Sequence, residues 1–378
     1  MKVLFDTEIF DLQLFGGISL YFSKLYDYFS KDEDVNYDIP VIYSNNQYIR
    51  NSKLPEIKSY YGKDFIFRKQ LTNFYTQQNK IKTKKELMKQ NFDIFHPTYN
   101  ISSNFLKYLN KKPFVLTVHD MTVEVLPEYF IFDKNTENTI KTKKILIEKA
   151  SRIIAISENT KKDILELTNV DESKIDIIYH GKPFESVDKT INAYCIDYLP
   201  NKYILFVGQR SKYKNFVSFV SAISEILLND EDLFLVCAGG FNFSHTEREI
   251  IDSLNLTNKV IYTGIENEGK LITLYKNAVC FAFPSLYEGF GFPLLESFQS
   301  GCPLVCSNTS SFLEVAGGAA EYFDPYNTES IKNAVNKVIY DKELKNEMIQ
   351  KGYSQAEKFN WEKTTQETKN TYRKAIYG

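Results

Sequence analysis

Two carboxylates eight positions apart, Glu288 and Glu296, bracket a glycine-bearing aromatic turn in the segment Ser285-Leu-Tyr-Glu-Gly-Phe-Gly-Phe-Pro-Leu-Leu-Glu296. Charged acceptors bond hydroxyl groups more strongly than neutral ones, so this pair suits a hydroxyl-rich ligand. Gly289 and Gly291 let the backbone come close to it. Pro293, followed by Leu294, Leu295 and Phe298, reads as a first helical turn, where backbone N–H groups and the positive dipole end attract phosphate. Glu288 then lies before the helix, facing the ligand, and Glu296 about one turn inside it. Two sugars joined by a diphosphate fit that geometry. The plainer alternative is a strand, a turn and an acidic surface helix, because glycines and glutamates near helix starts also serve stability alone.

A second polar group follows the run Tyr203-Ile-Leu-Phe-Val-Gly208, where Arg210 and Lys214 stand near a helix start. Fixed positive charge there would neutralise a diphosphate; Lys212 competes for the same work, and solvation at the surface is the alternative for all three. In the first half, Gly16 and Gly17 follow the opening strand and precede a helix. They permit backbone approach to phosphate or sugar, with Ser19 as a capping residue. The pattern G-x-G-x-x-G of dinucleotide folds is absent. Val115-Leu-Thr-Val-His119-Asp120 ends a strand with a polar pair, and His119 can hydrogen-bond a substrate hydroxyl or carry a proton. His96 and His180 also end apolar runs and read as loop hydrogen-bonders; His245 reads as a surface residue.

These residues need elements to hold them, and the chain supplies an alternation of short apolar runs with helical patterns, the signature of βαβ units and parallel sheets. Strands are expected at Lys2–Phe5, Ile39–Tyr43, Ile94–His96, Phe114–Val118, Arg152–Ile156 and Ile175–Ile178. A second series follows at Ile204–Val207, Leu233–Ala238, Val260–Thr263, Val279–Phe283, Pro303–Cys306 and Ala320–Phe323. The segment Lys182–Lys202, with Pro183 and Pro200, reads as a linker between two similar domains whose carboxyl strand ends face a central cleft. The 378 residues are ample for two cores, and a net charge of −2 with pI near 6.2 disfavours a nucleic-acid binder.

Met1–Asp6 runs straight into a strand instead of a signal peptide, and no apolar run approaches the ~18 residues of a membrane span, so a cytoplasmic location is expected. The five cysteines, Cys195, Cys237, Cys280, Cys302 and Cys306, read as reduced core residues without structural zinc. Between Lys63 and Lys89 eight Lys or Arg face only Asp64 and Glu86, with Phe65, Phe67, Phe74 and Tyr75 interleaved. This block is either a solvated face or a surface for an anionic membrane at the inner face of the cell.

The motifs Val207-Gly-Gln-Arg210 with Tyr213-Lys214-Asn-Phe, Leu235-Val-Cys-Ala-Gly-Gly240, Tyr262-Thr-Gly264, Phe283 through Glu296 and Gly301-Cys-Pro-Leu-Val together resemble the retaining, nucleotide-sugar-dependent GT-B glycosyltransferases of the mannosyltransferase-like group. In the first half Gly16, Gly17, His119, Asp120 and Ala155-Ile-Ser-Glu-Asn-Thr160 extend the likeness over nearly the whole chain. The resemblance implies an α/β protein of two Rossmann-like domains. The first is an acceptor domain over 1–185, the second a donor domain over 186–358, and the last helix (359–378) crosses back to the first, anchored by Trp361. It implies that Glu288 holds donor-sugar hydroxyls and Glu296 the ribose, that Arg210 and Lys214 bind the diphosphate with help from amides of Phe290, Gly291 and Phe292, and that His119 touches the donor sugar. It implies no metal and no cofactor beyond a GDP- or UDP-sugar as co-substrate, with a glycan or lipid-linked acceptor. The chain departs from the family pattern in the Ser211-Lys212-Tyr213 that separates Arg210 from Lys214, a variable region in such enzymes, so Lys212 can share the phosphate role. A non-catalytic binding subunit on the same fold and a nicotinamide-dependent oxidoreductase are the rival readings.

Overall fold

The computed structural model describes residues 1–51, 68–100, 102–131, 135–185, 199–210 and 212–378. Cys195, most of the expected linker and the Lys63–Phe67 start of the basic block lie outside these residues. Two compact units result: Met1–Gly181 with Asn360–Gly378, and Lys182–Phe359.

The first unit is built on parallel strands β1 (Lys2–Phe5), β2 (Asn36–Asp38), β3 (Ile94–His96), β4 (Val115–Val118), β5 (Arg152–Ala155) and β6 (Ile175–Ile177). They form two three-stranded sheets in the orders β2-β1-β3 and β4-β5-β6, joined by a parallel bridge between Phe95 and Phe114. Every residue of β3 and β4 is buried, as strands covered on both faces by helices must be. The apolar run Ile39–Tyr43 is not a strand. Pro40 has no N–H to give the ladder, and pairing with β1 ends at Asp38. The amides of Ile42 and Tyr43 turn instead to the Asn79 side chain, at 2.9 and 3.2 Å.

The helix Trp361–Tyr377 packs on this unit. Asn360 caps it by accepting from the amides of Glu362 and Lys363. Lys369 bridges Asp32, Lys374 bonds Asp176 at 2.6 Å, and the Tyr372 hydroxyl meets His96 Nδ1 at 2.6 Å. At Gly181 a Cβ would stand 2.4 Å from the Trp361 ring, so the close approach of that indole requires glycine.

The second unit holds β7 (Lys202–Val207), β8 (Leu233–Ala238), β9 (Val260–Thr263), β10 (Cys280–Phe283), β11 (Leu304–Ser307) and β12 (Ala320–Phe323), all parallel, in the order β12-β11-β10-β7-β8-β9. Its core runs from Ile204 and Phe206 through Leu235 and Cys237 to Val335 and Val338. Cys237, Cys280, Cys302 and Cys306 are buried free thiols. Lys182–Glu185 and Phe359 belong with this unit, not with the domain and helix to which the sequence assigned them. Gln299 holds Phe184 by both its amide and carbonyl, at 3.1 and 2.8 Å, and Phe359 packs edge-on against Phe290.

Candidate active site

In the second sheet the strand order reverses between β7 and β10. Connections from these two strands leave in opposite directions, which opens a crevice outside their carboxyl ends. Gly208 follows β7 with φ +115°, and a Cβ there would meet nothing within 4 Å, so the backbone is open at this point. The segment after β10 runs to Gly291, whose φ of 92° starts the helix Phe292–Gln299 and favours glycine. Lys214 from the β7 side and Glu288 from the β10 side form an ion pair directly across the switch point.

The Glu288 turn is braced through its main chain. The Glu288 amide donates to Ser310 Oγ at 3.1 Å, and Ser311 Oγ donates to the carbonyl of Glu288 at 2.9 Å. Thr309 holds the Leu286 carbonyl, and the Leu286 amide reaches the Tyr213 carbonyl at 2.8 Å. Sequence reading missed this hydroxyl run; its signal is Asn308-Thr-Ser-Ser311 directly after a buried strand. Ser285 Oγ and Ser307 Oγ, at the ends of adjacent strands β10 and β11, are buried without a hydrogen-bond partner among the described residues.

The two basic groups expected to act together are placed differently. The Arg210 side chain is buried, with Nε on Glu247 at 2.8 Å, Nη2 on the Phe241 carbonyl, and the guanidinium carbon 4.7 Å from the Phe243 ring centre. Its charge is matched inside the unit, and only Nη1 lacks a hydrogen-bond partner among the described residues. Lys212 and Lys214 lie in a short 3₁₀ turn before the helix Phe216–Asn229. Lys214 stands against Glu288, the expected sugar-binding carboxylate.

Glu296 sits in the second turn of the helix Phe292–Gln299 and accepts from the Tyr275 hydroxyl at 2.9 Å. Part of the side chain remains at the surface, yet burial of the carboxyl pushes it up to about 7, with the Tyr275 bond opposing. Phe290 is buried and stacks edge-on with Phe292, 5.6 Å between ring centres.

In the first unit His119 follows β4, 9 % exposed, with the Tyr21 ring edge-on at 5.3 Å. Its Nε2 is buried without a partner among the described residues. Burial pulls the imidazole down to about 4, so it is neutral near pH 7; Asp120 opposes this and Lys143 adds to it. His96 is by contrast a satisfied core residue, held by Tyr372 and by Thr117 at 2.9 Å. Gly16 and Gly17 do start a helix, Gly17–Phe29, but Ser19 does not cap it. As the third helical residue it turns its hydroxyl back to the Gly16 carbonyl, and the Gln13 side chain takes its amide at 3.2 Å. Near this turn Asp11, which the sequence did not single out, accepts from Asn79 at 2.7 Å, and burial pushes its carboxyl up to about 7.

Two parallel α/β units of this kind, with the polar residues gathered at carboxyl strand ends, define the GT-B class of glycosyltransferase fold. Comparison with known proteins agrees. Residues 198–355 match the family of Glycosyl transferases group 1, and residues 41–183 match Glycosyltransferase Family 4. Together the two matches span most of the chain, which has the GT-B fold of glycosyltransferases and is similar in sequence to mannosyltransferases. It is 28 % identical over 260 residues to the serotype-specific mannosyltransferase WbdA of Escherichia coli, covering 66 % of this chain and 32 % of that protein. The chain therefore spans about a third of that relative's length. It is 26 % identical over 278 residues to the O-antigen chain mannosyltransferase B of Escherichia coli, covering 68 % and 70 %. Among solved structures, the sucrose-phosphate synthase of Thermosynechococcus elongatus superposes with a TM-score of 0.73 over 98 % of both chains at 18 % identity, a likeness of fold.

Proposed function

We propose that this protein transfers a hexose from a nucleotide sugar to a glycan or lipid-linked acceptor in surface polysaccharide assembly, with retention at the anomeric carbon and without a metal. Mannose from GDP-mannose is the leading donor, because the relatives named above are mannosyltransferases, one of them an O-antigen chain mannosyltransferase; a UDP-hexose is the second reading. The observation that carries the proposal is the Lys214–Glu288 pair at the switch point of a sheet whose family transfers sugars. A diphosphate arriving there would draw Lys214 toward itself and release Glu288 to the sugar hydroxyls, with Glu296 on the ribose. Leaving-group charge is met by Lys214 and the helix start at Gly291, with Nη1 of Arg210 as a further donor. His119 hydrogen-bonds the transferred sugar. The departing phosphate takes the acceptor proton as the acceptor attacks the same face.

Incubation with a panel of GDP- and UDP-hexoses should release nucleoside diphosphate, read by mass spectrometry, from one donor class only. EDTA should leave the rate unchanged. Loss of turnover with EDTA that magnesium or manganese restores would overturn the metal-free step, and release from none of the donors would favour a binding subunit.

We also propose that the protein works as a peripheral protein at an anionic inner membrane face. No helix among the described residues is long and apolar enough to cross a membrane. On the helix Arg68–Lys89, Phe74, Ile81 and Met88 stand seven residues apart and are exposed at 56, 46 and 62 %, so they form one line along the surface. Lys84 and Lys85 are exposed on either side of that line. Each basic residue near an anionic surface adds about 1 kcal/mol, screened by salt. Binding to anionic vesicles should fall as salt rises from tens of millimolar toward ~0.5 M, and changing Lys82, Lys84 and Lys85 to Glu should abolish it while nucleotide binding persists. A wild type that ignores such vesicles at low salt has only a solvated face here.

A further inference from the structure

The helix Thr136–Lys149 carries one buried cation, Lys143, whose Nζ bonds Glu124 Oε2 at 2.9 Å and the Asp120 carbonyl at 3.2 Å. The two charged side chains are only 5 and 7 % exposed. A buried ion pair is a weak source of stability, and apolar residues of like volume often serve the fold as well. This one is aimed at a particular place. The carbonyl it holds belongs to the residue after His119, and on the other side of that residue Asp120 Oδ1 accepts from the Thr122 amide at 3.0 Å. The turn that carries His119 is therefore pinned at both its carbonyl and its side chain. His119 itself ends with Nε2 buried and unpartnered among the described residues, a polar atom that the fold leaves unused.

We propose that Lys143 is a positioning residue for His119: its ammonium, held by Glu124, pins the Asp120 carbonyl and so sets the direction in which His119 Nε2 meets the transferred sugar. The inference rests on the reading of His119 as a sugar-binding group. Lys143 also opposes protonation of the imidazole, while the Asp120 carboxylate favours it. Asp120 itself, which burial alone would push up, is held below the usual carboxylate range by Lys143 and by Thr122. Among the described residues the Tyr21 hydroxyl-bearing ring and the His180 ring also face His119, 5.3 and 5.9 Å away between ring centres, and His119 in turn adds to the lowering of the buried His96 imidazole at the end of β3.

The test is Lys143→Met combined with Glu124→Gln, which removes both charges and leaves neither one buried alone. Turnover should fall about tenfold, the effect of losing one well-placed hydrogen bond, with donor KM little changed. The loss should not add to that of His119→Asn, and Lys143→Arg should restore part of it. Independently of transfer, NMR of the His119 ring should show shifted resonances and a raised pKa in the double variant. Ring resonances and titration identical to wild type would overturn the proposal, as would losses fully additive with His119→Asn. Should the wild type transfer no sugar, the NMR comparison still decides whether Lys143 governs His119, so the two readings fail separately.

Discussion

Glu288→Ala is expected to cut turnover from the nucleotide sugar by at least about 10²-fold while costing under about 1 kcal/mol of folding stability. The asymmetry follows from which atoms the fold uses. Ser310 and Ser311 hold the Glu288 turn by its amide and carbonyl, both of which alanine keeps. Among the described residues the carboxylate pairs with Lys214, the two side chains remaining 16 and 19 % exposed, and partly solvated pairs contribute little to stability. Charge-assisted bonds to sugar hydroxyls are worth about 1.5–3 kcal/mol each, and about 1.4 kcal/mol is tenfold in rate, so losing two of them gives the stated effect. The loss should fall on kcat more than on KM, because sugar contacts that strengthen at the transition state appear in kcat. Thermal unfolding and steady-state rates on one preparation check both halves. Near-normal turnover would remove Glu288 from the site.

That residue was readable from sequence because it stands between a buried strand and a glycine turn, and local pattern carries both. Eleven of the twelve strands among the described residues announce themselves in the same way, as short runs rich in apolar residues such as Leu233–Ala238 and Leu304–Ser307. The failure at β2 has a physical cause: Asn36-Tyr-Asp38 is a short, polar edge strand, and the apolar run beside it contains a proline. Partnerships were not legible at all. Arg210 looked free because its carboxylate, Glu247, lies 37 residues on, at the start of another helix. Glu296 finds Tyr275 across two helices, and Lys143 finds Asp120 by the folding of a helix onto a strand end. Such pairs depend on tertiary placement, which neither periodicity nor spacing encodes.

Glu296 is where that hidden partnership has the largest consequence. Burial raises its carboxyl from an ordinary 4.5 to about 7, so the folded state holds a proton that the unfolded chain releases. Its stabilising contribution is complete below pH 4.5 and is lost as pH rises through 7. At about 1.4 kcal/mol per pH unit the loss is at most about 3 kcal/mol, and nearer 1–2 because part of the side chain still meets solvent. Glu296→Gln, which cannot ionise, should match the wild type in stability near pH 4.5 and exceed it at pH 8. A protein carries such a cost where the charged form is needed elsewhere, and ribose hydroxyls would supply the donors that a carboxylate lacks in the free site. Nucleoside diphosphate binding should then favour the ionised form, release protons near pH 7, and weaken below it. Calorimetry in two buffers of different ionisation enthalpy reads that release directly. The Gln variant should bind at least about tenfold more weakly and release no protons from this site. If it were instead more stable at pH 8 yet bound nucleotide like the wild type, the acid would be a burden of packing alone, and the ribose contact would have to come from another residue.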